Sequence, residues 1–311
     1  MILITGGSGY VGSHIVKHLV EHRRDVRVLV RDREHAEEEG RLQGLDVEWI
    51  FGDVTDPETL VPAFKGTTAV IHTAAIAIEK NNATYEKVNY QGTVNMVEAA
   101  KAAQVTRFIN LSQLGADPDL PYRFMASKGK AQDCVASSSL DWTAFRPSVI
   151  WGPEDEFANM FARLVPFSPI IYPIVDKDTS FQPVWIDDVA TCVVKSIDDT
   201  ATIHAEFELG GPEILTMEEI ERRALKAVGA RRYMVAVPKS FIKIIVGLME
   251  TLLSNPPVTR SLLELLAVNN VTRDNAIARF VENPRPFTAE NAAPYMSQFR
   301  ARQTLSQFFS S

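Results

Sequence analysis

The sequence predicts an α/β protein, a doubly wound parallel sheet followed by a smaller, mostly helical C-terminal lobe. Five runs in the N-terminal half, "MILIT", "DVRVLV", "VEWIF", "TAVIHTAA" and "RFINLS", are apolar and rich in Val and Ile. Strands buried on both faces of a parallel sheet have this pattern. Amphipathic segments separate them, and a β-α-β-α rhythm implies right-handed crossovers. A chain of 311 residues, 46% hydrophobic and 23% charged, suits one large α/β domain with a smaller second one.

In order, the first run leads into a glycine-rich turn and then "YVGSHIVKHLVEH", where Val11, Ile15, Val16, Leu19 and Val20 form one apolar stripe. "YQGTVNMVEAAKAAQV" is a strong helix former, with Val94, Val97 and Ala100 facing inward. After "WTAFRPSVIWG" the rhythm loosens, and Pro166, Pro169 and Pro173 mark a region of loops and short elements. "FQPVWIDDVATCVVKSI" reads as strand, cap and helix, with Asp187 or Asp188 as N-cap. "AEFELGG" is a further strand, and from Thr216 the chain reads as mostly helical. These elements predict a nucleotide-binding domain over 1–150, to which segments near 183–210 return, and a substrate-type lobe over 151–311.

A net charge of −7 argues against nucleic acid as a general partner. Cys134 and Cys192 lie far apart, without metal-ligand spacing, which fits a reduced, cytoplasmic setting. The first strand begins at Met1, so no signal peptide is expected. In "FIKIIVGLMETLL", Lys243 and Glu250 interrupt an apolar run too short to span a bilayer. Its stripe of Phe241, Ile244, Ile245, Leu248, Met249, Leu252 and Leu253 packs into the second lobe or docks outward. A protein complex or a membrane-peripheral partner engaged through 238–253 is therefore an expectation.

"ITGGSGYVGSHIV" places Gly6, Gly9 and Gly12 between strand and helix. Glycines there allow a tight turn and close backbone approach, and the helix N-terminus offers N–H groups to a pyrophosphate. At the tip of the second strand stand Arg31, Asp32 and Arg33. Arginine accommodates a ribose 2′-phosphate, whereas an acid accepts from the 2′-hydroxyl. Arg31 thus favours NADP(H), with Ser8 as a helper; Asp32 keeps NAD(H) open, and both arginines could instead pair with "EHAEEE".

His14, His18 and His22 recur every four residues but have no cysteine or matched carboxylate nearby in sequence, so no metal site is expected. His72 reads as a packed loop histidine rather than a catalytic base, and Asn89 as a surface or packing residue or the holder of an ordered water.

"TGGSGYVG", "GDVTD", "VIHTAA", "VNYQGT", "NLSQLGA", "FRPSVIWGP", "PVWIDDVA" and "LGGPEILTMEEI" occur in the order seen in extended and atypical short-chain dehydrogenases/reductases. The chain resembles this epimerase-like Rossmann family over most of its length. Its stretch "NPPVTRSLLELLAVNNVTRDNAIARF" resembles, more loosely, the branch of the NADPH-binding accessory subunit of respiratory complex I. The resemblance implies that Gly6, Ser8, Gly9, Tyr10, Val11 and Gly12 line the pyrophosphate. Asp53 and Val54 would flank the adenine, and Ala74 and Ala75 would pass beside the ribose. Ser112 takes the catalytic serine position, Lys128 bonds the nicotinamide ribose, and Pro147 and Val149 border the nicotinamide.

The family's proton donor is a tyrosine four residues before the lysine, a spacing of about 400° that puts both on one helix face. Here that residue is Phe124, and Tyr122 lies six before Lys128. Six residues turn a helix by about 600°, placing Tyr122 roughly 120° away and about 9 Å along the axis. Tyr122 follows Pro121 and serves as a donor only through an irregular helix start. Two readings follow. One is an NADP(H)-binding member impaired in catalysis, acting as a structural, assembly or redox-sensing protein. The other is an active oxidoreductase or epimerase with a different proton donor, working on a small carbonyl or sugar-like substrate.

Overall fold

The computed structural model describes residues 1–31, 40–238, 246–247 and 268–299. Asp32, Arg33 and most of 238–253, including the Phe241–Leu253 stripe, lie outside the described residues. The chain divides into two units, 1–147 with 186–209 and 274–283, and 148–185 with 210–273 and 284–311.

The first unit is a seven-stranded sheet. Its strands are β1 (Ile2–Thr5), β2 (Val26–Val30), β3 (Glu48–Phe51), β4 (Ala69–His72), β5 (Arg107–Leu111), β6 (Asp141–Pro147) and β7 (Ala205–Leu209). The spatial order is β7-β6-β5-β4-β1-β2-β3, and every pairing is parallel. Each strand therefore needs a crossover, supplied by α1 (Tyr10–Glu21), α2 (Gly92–Ala102), α3 (Arg123–Ala136) and α4 (Ile186–Ser196), together with short turns. The order reverses at β1, which pairs with β2 on one side and β4 on the other. Ligands of open α/β sheets bind at such a switch point, beyond the carboxyl ends of the strands.

On one face, Leu3, Val70, Phe108 and Ala144 pack with Met96, Val97 and Ala100 of α2 and Val135 of α3. Full burial of a side chain of this kind contributes about 1.5–3 kcal/mol. Strand alternation turns Ile2 and Ile4 to the opposite face, which is equally buried.

"VEWIF", expected as a buried strand, is the sheet edge, and both Glu48 and Phe51 are exposed. Glu48 lies opposite Arg27 of β2. Buried Arg27 donates to Glu48 (Oε2, 3.0 Å) and to the carbonyls of Ala63 and Lys65 at 2.7 and 2.6 Å. An arginine inside "VRVLV" is tolerated because both terminal guanidinium nitrogens find acceptors.

α4 begins at Ile186, so Asp187 and Asp188 occupy its first turn and are not its cap, and carboxylates there complement the helix dipole. Asp187 also joins α4 to α1, with Oδ1 2.7 Å from His14 Nδ1 and 3.4 Å from His18 Nε2. The hydrogen bond to Asp187 raises the pKa of His18. Burial works to raise Asp187, but the two histidines hold it well below the usual carboxylate range.

In the second unit, Ile150–Trp151 pairs with Val184–Trp185, Ser180–Phe181 with Leu215–Thr216, and Ile171–Ile174 with Tyr233–Ala236. The last ribbon falls where the sequence reads as helical. The helix Met217–Val228 opens on a capping box of Thr216 and Glu219 and closes on Gly229, whose φ of 76° suits glycine.

Candidate functional site

A cavity of about 650 Å³ opens at the carboxyl ends of β1, β2, β4 and β5, and its lining residues all belong to the first unit. Its floor is the turn between β1 and α1. Gly6 has φ +69°, and an added Cβ there would sit 2.8 Å from the backbone nitrogen of Ala74. At Gly12 a Cβ would come within 2.1 Å of the Gly6 carbonyl, so this glycine lets the helix approach the turn. Gly9 is the N-cap of α1 and offers no side chain to the first turn. A Cβ on Gly9 would meet only the Gly6 carbonyl, at 3.1 Å. The result is a backbone cradle at a helix N-terminus, the chemistry that holds a dinucleotide pyrophosphate.

Ser8, Tyr10 and Val11 complete this floor, while Arg31, Asp53 and Val54 line one end of the cavity. Arg31 is exposed. A second guanidinium, that of Arg41, donates to the Ser8 carbonyl at 3.4 Å. Asp53 shapes its own turn, its Oδ1 accepting from the Thr55 amide at 2.8 Å. The Val54 carbonyl accepts from Asn95 Nδ2 at 2.8 Å.

Ala74, Ala75, Ser112, Phe124 and Lys128 line the remainder. Buried Lys128 donates from Nζ to the Leu111 carbonyl at 2.7 Å, and burial brings its pKa down to about 8. The Ser112 amide donates to the Phe145 carbonyl at 2.8 Å, while its buried Oγ has no hydrogen-bond partner among the described residues. A buried hydroxyl without a partner is costly and marks a place for a polar ligand group. Phe124 stands on α3 one turn before Lys128 and meets Tyr85 edge-on, ring centroids 5.5 Å apart. Tyr122 is the N-cap residue of α3 and is not among the residues lining the cavity. Pro147 ends β6 and Val149 belongs to the second unit; neither lines this cavity.

Behind the site, His72 is fully engaged. Thr93 Oγ1 donates to the Asn89 carbonyl at 2.7 Å and so accepts from His72 Nε2 at 3.0 Å. His72 Nδ1 then accepts from Thr5 Oγ1 at 2.7 Å. Burial first, and the Lys128 charge second, bring its pKa down to about 3, so the ring is neutral. Asn89 grips the backbone of Ile76, accepting from its amide at 2.8 Å and donating to its carbonyl at 3.1 Å. A third bond joins Asn89 Nδ2 to Ser127 Oγ at 3.1 Å. Asn89 thereby fixes the wall formed by Ile76 and Ala77, which the sequence reading did not include. Asn82, Lys87 and Gln113 also line the cavity. Of these only Gln113 carried a signal, standing beside Ser112 in "NLSQLGA".

Among the described residues no group of three or more His, Cys, Asp or Glu side chains is arranged to hold a metal. Nor, among them, is any helix long and apolar enough to cross a membrane.

The switch-point cavity and its glycine cradle define a dinucleotide-binding Rossmann protein. A family model described as NAD(P)H-binding matches residues 6–200, and the chain belongs to this atypical, epimerase-like group of short-chain dehydrogenases/reductases. It is similar to the 2-alkyl-3-oxoalkanoate reductase of Stenotrophomonas maltophilia, 30% identical over 300 residues, covering 85% of this chain and 88% of the relative. It is also similar to NADH dehydrogenase (ubiquinone) 1 alpha subcomplex subunit 9 of Arabidopsis thaliana mitochondria, 28% identical over 225 residues. That match covers 70% of this chain, which spans only 55% of the plant subunit's length. Among solved structures, gox2253 superposes with a TM-score of 0.73 at 26% identity, covering 98% of this chain and 99% of the other. The Thermus thermophilus UDP-glucose 4-epimerase complex with NAD gives a TM-score of 0.68 at 20% identity, covering 97% of this chain and 99% of that one, a likeness of fold alone.

Proposed function

We propose that the chain holds NADP(H) in preference to NAD(H) at a site impaired in catalysis, and serves as a structural, assembly or redox-sensing protein. The carrying observation is that Phe124 lines the cavity one helical turn from Lys128. A phenyl ring has no proton to give, and a positioned acid typically contributes a factor of about 10²–10⁴.

In this reading Gly6, Ser8, Gly9, Tyr10, Val11 and Gly12 hold the pyrophosphate. Arg31 faces the 2′-phosphate, Asp53 and Val54 flank the adenine, and Ala74 and Ala75 pass the ribose. Lys128 bonds the nicotinamide ribose. A bound nicotinamide supplies or accepts hydride; what this chain lacks is a tyrosine to deliver the accompanying proton. The role in a larger complex is supported by the relative named as an NADH dehydrogenase subunit. Measuring NADPH and NADH affinity beside carbonyl turnover tests the reading: tight NADPH binding without turnover is expected.

A second reading, an active oxidoreductase or epimerase with another proton donor, is favoured by two observations. Ser112 Oγ is buried without a partner, and a relative covering most of the chain is named a reductase. In that case the Ser112 hydroxyl, Tyr122 or a water would deliver the proton to a small carbonyl or sugar-like substrate. A rate above about 1 s⁻¹ with any carbonyl substrate decides for this alternative.

A further inference from the structure

The parallel ribbon of Ile171–Ile174 and Tyr233–Ala236 in the second unit has one face turned inward, burying Tyr172 and Ile174. Strand alternation should make the other face polar. Instead it presents Ile171, Tyr233 and Val235, exposed by 57%, 77% and 43%, with the neighbouring Ile170 at 66%. Single exposed apolar residues are ordinary, but three on one ribbon with a fourth beside it form a patch.

Charge along the segment that carries the outer strand is segregated. From Arg222 to Met249 the sequence has seven Lys and Arg and no Asp or Glu, in a chain whose net charge is −7. Arg222, Arg223 and Lys226 pair with Glu218, Glu213 and Glu290. Among the described residues Arg231 and Arg232, which directly precede the outer strand, make no ion pair; Arg232 Nε donates to the Ser168 carbonyl at 2.6 Å. Beyond the strand the acid-free stretch continues through Lys239 and Lys243. That stretch is bounded by Glu221 and Glu250, and Asp176 and Asp178 follow the inner strand at the end away from Arg231 and Arg232.

We infer that this ribbon is a docking surface for an anionic lipid bilayer, entered with the Ile170, Arg231 and Arg232 end foremost. Apolar and aromatic side chains beside two arginines that make no ion pair among the described residues, in an acid-free stretch of sequence, match the chemistry of a headgroup and acyl-chain boundary. A tyrosine with an apolar body and polar tip suits the same depth.

The test is co-sedimentation of the full chain with vesicles of phosphatidylcholine, alone or with 30 mol% phosphatidylglycerol, a value of about that order giving a clearly negative surface. Binding is expected only with phosphatidylglycerol present and should weaken in high salt. Arg231→Ala should lower the partition coefficient about fivefold. Tyr233→Ser combined with Ile171→Ser should lower it about tenfold or more. Unchanged circular dichroism and NADPH affinity would show that both variants remain folded. No partition into anionic vesicles, equal partition into neutral ones, or partition unaffected by the substitutions would overturn the inference. So would light scattering showing a dimer that the double variant dissolves, because the ribbon's occupant would then be a second copy.

Discussion

The ring of Phe124 meets that of Tyr85 edge-on, with planes inclined at 64°. Tyr85 Oη donates to the Ala77 carbonyl at 2.8 Å, so the Phe124 ring also buttresses the loop along the cavity wall. Arg123 repeats the connection through its ion pair with Glu79 at 2.7 Å. On the proposed reading, Phe124 both lacks the hydroxyl of a proton donor and makes this packing contact, and two substitutions separate the effects.

Phe124→Tyr keeps the ring and adds one oxygen one helical turn from Lys128. The nearby ammonium favours the phenolate, lowering the tyrosine pKa. NADPH-dependent reduction of aldehydes, ketones or quinones should rise by up to about 10²-fold over the wild type. Phe124→Ala, which removes the contact with Tyr85, should give no gain and should lower the melting temperature. A rise of equal size with alanine would show that opening the wall, not proton donation, limits the rate.

Arg31→Ala should weaken NADPH binding about tenfold to hundredfold, the range of a charge-assisted hydrogen bond, and leave NADH nearly untouched. Calorimetric titration with both cofactors reads this directly. Equal losses for both would remove Arg31 from the 2′-phosphate and turn attention to Arg41, which reaches the Ser8 carbonyl.

Two glycines of the same turn should behave differently. Gly9→Val brings its Cβ near only one protein atom, the Gly6 carbonyl oxygen at 3.1 Å, so circular dichroism should remain native while cofactor binding is lost. Gly12→Ala drives a methyl onto the Gly6 carbonyl and should destabilise the fold by about 1–3 kcal/mol, as overpacking does. Unchanged cofactor affinity in folded Gly9→Val would exclude the turn as the pyrophosphate cradle.

Burial lowers Lys128 from 10.5 to about 8, so the folded state disfavours its charged form. Stability linked to a depressed pKa is fully present above the unfolded value and is lost as pH falls through the folded one. Without cofactor, the wild type should therefore gain stability relative to Lys128→Met as pH rises from about 8 to 10.5. Denaturant melts across that window check the sign; parallel curves would mean that Lys128 is more hydrated than its surroundings suggest.

The sheet and its glycine turn were legible because their signals are local. Apolar runs of strand length mark β1, β4 and β5, and "ITGGSGYVG" sits between a strand and an amphipathic helix. What escaped depends on partners distant in sequence. "VEWIF" reads like a central strand, and only the sheet order makes it an edge. Asn89 is one polar residue in a helical stretch until Ile76, 13 residues earlier, supplies its hydrogen bonds. The strand Tyr233–Ala236 exists through its pairing with Ile171–Ile174, about 60 residues upstream, a non-local contact that propensity does not report.

The central claim, NADP(H) held at a site whose chemistry is impaired, is tested most directly by NADPH oxidation. Absorbance at the reduced nicotinamide band would be followed with saturating NADPH, wild-type protein and a broad panel of aldehydes, ketones and quinones. Calorimetry on the same preparation would establish that the cofactor is bound. The predicted result is tight NADPH binding with every turnover rate well below about 1 s⁻¹, the low end for working enzymes. Turnover of any panel member above that rate would contradict the claim and establish an active reductase working without the tyrosine.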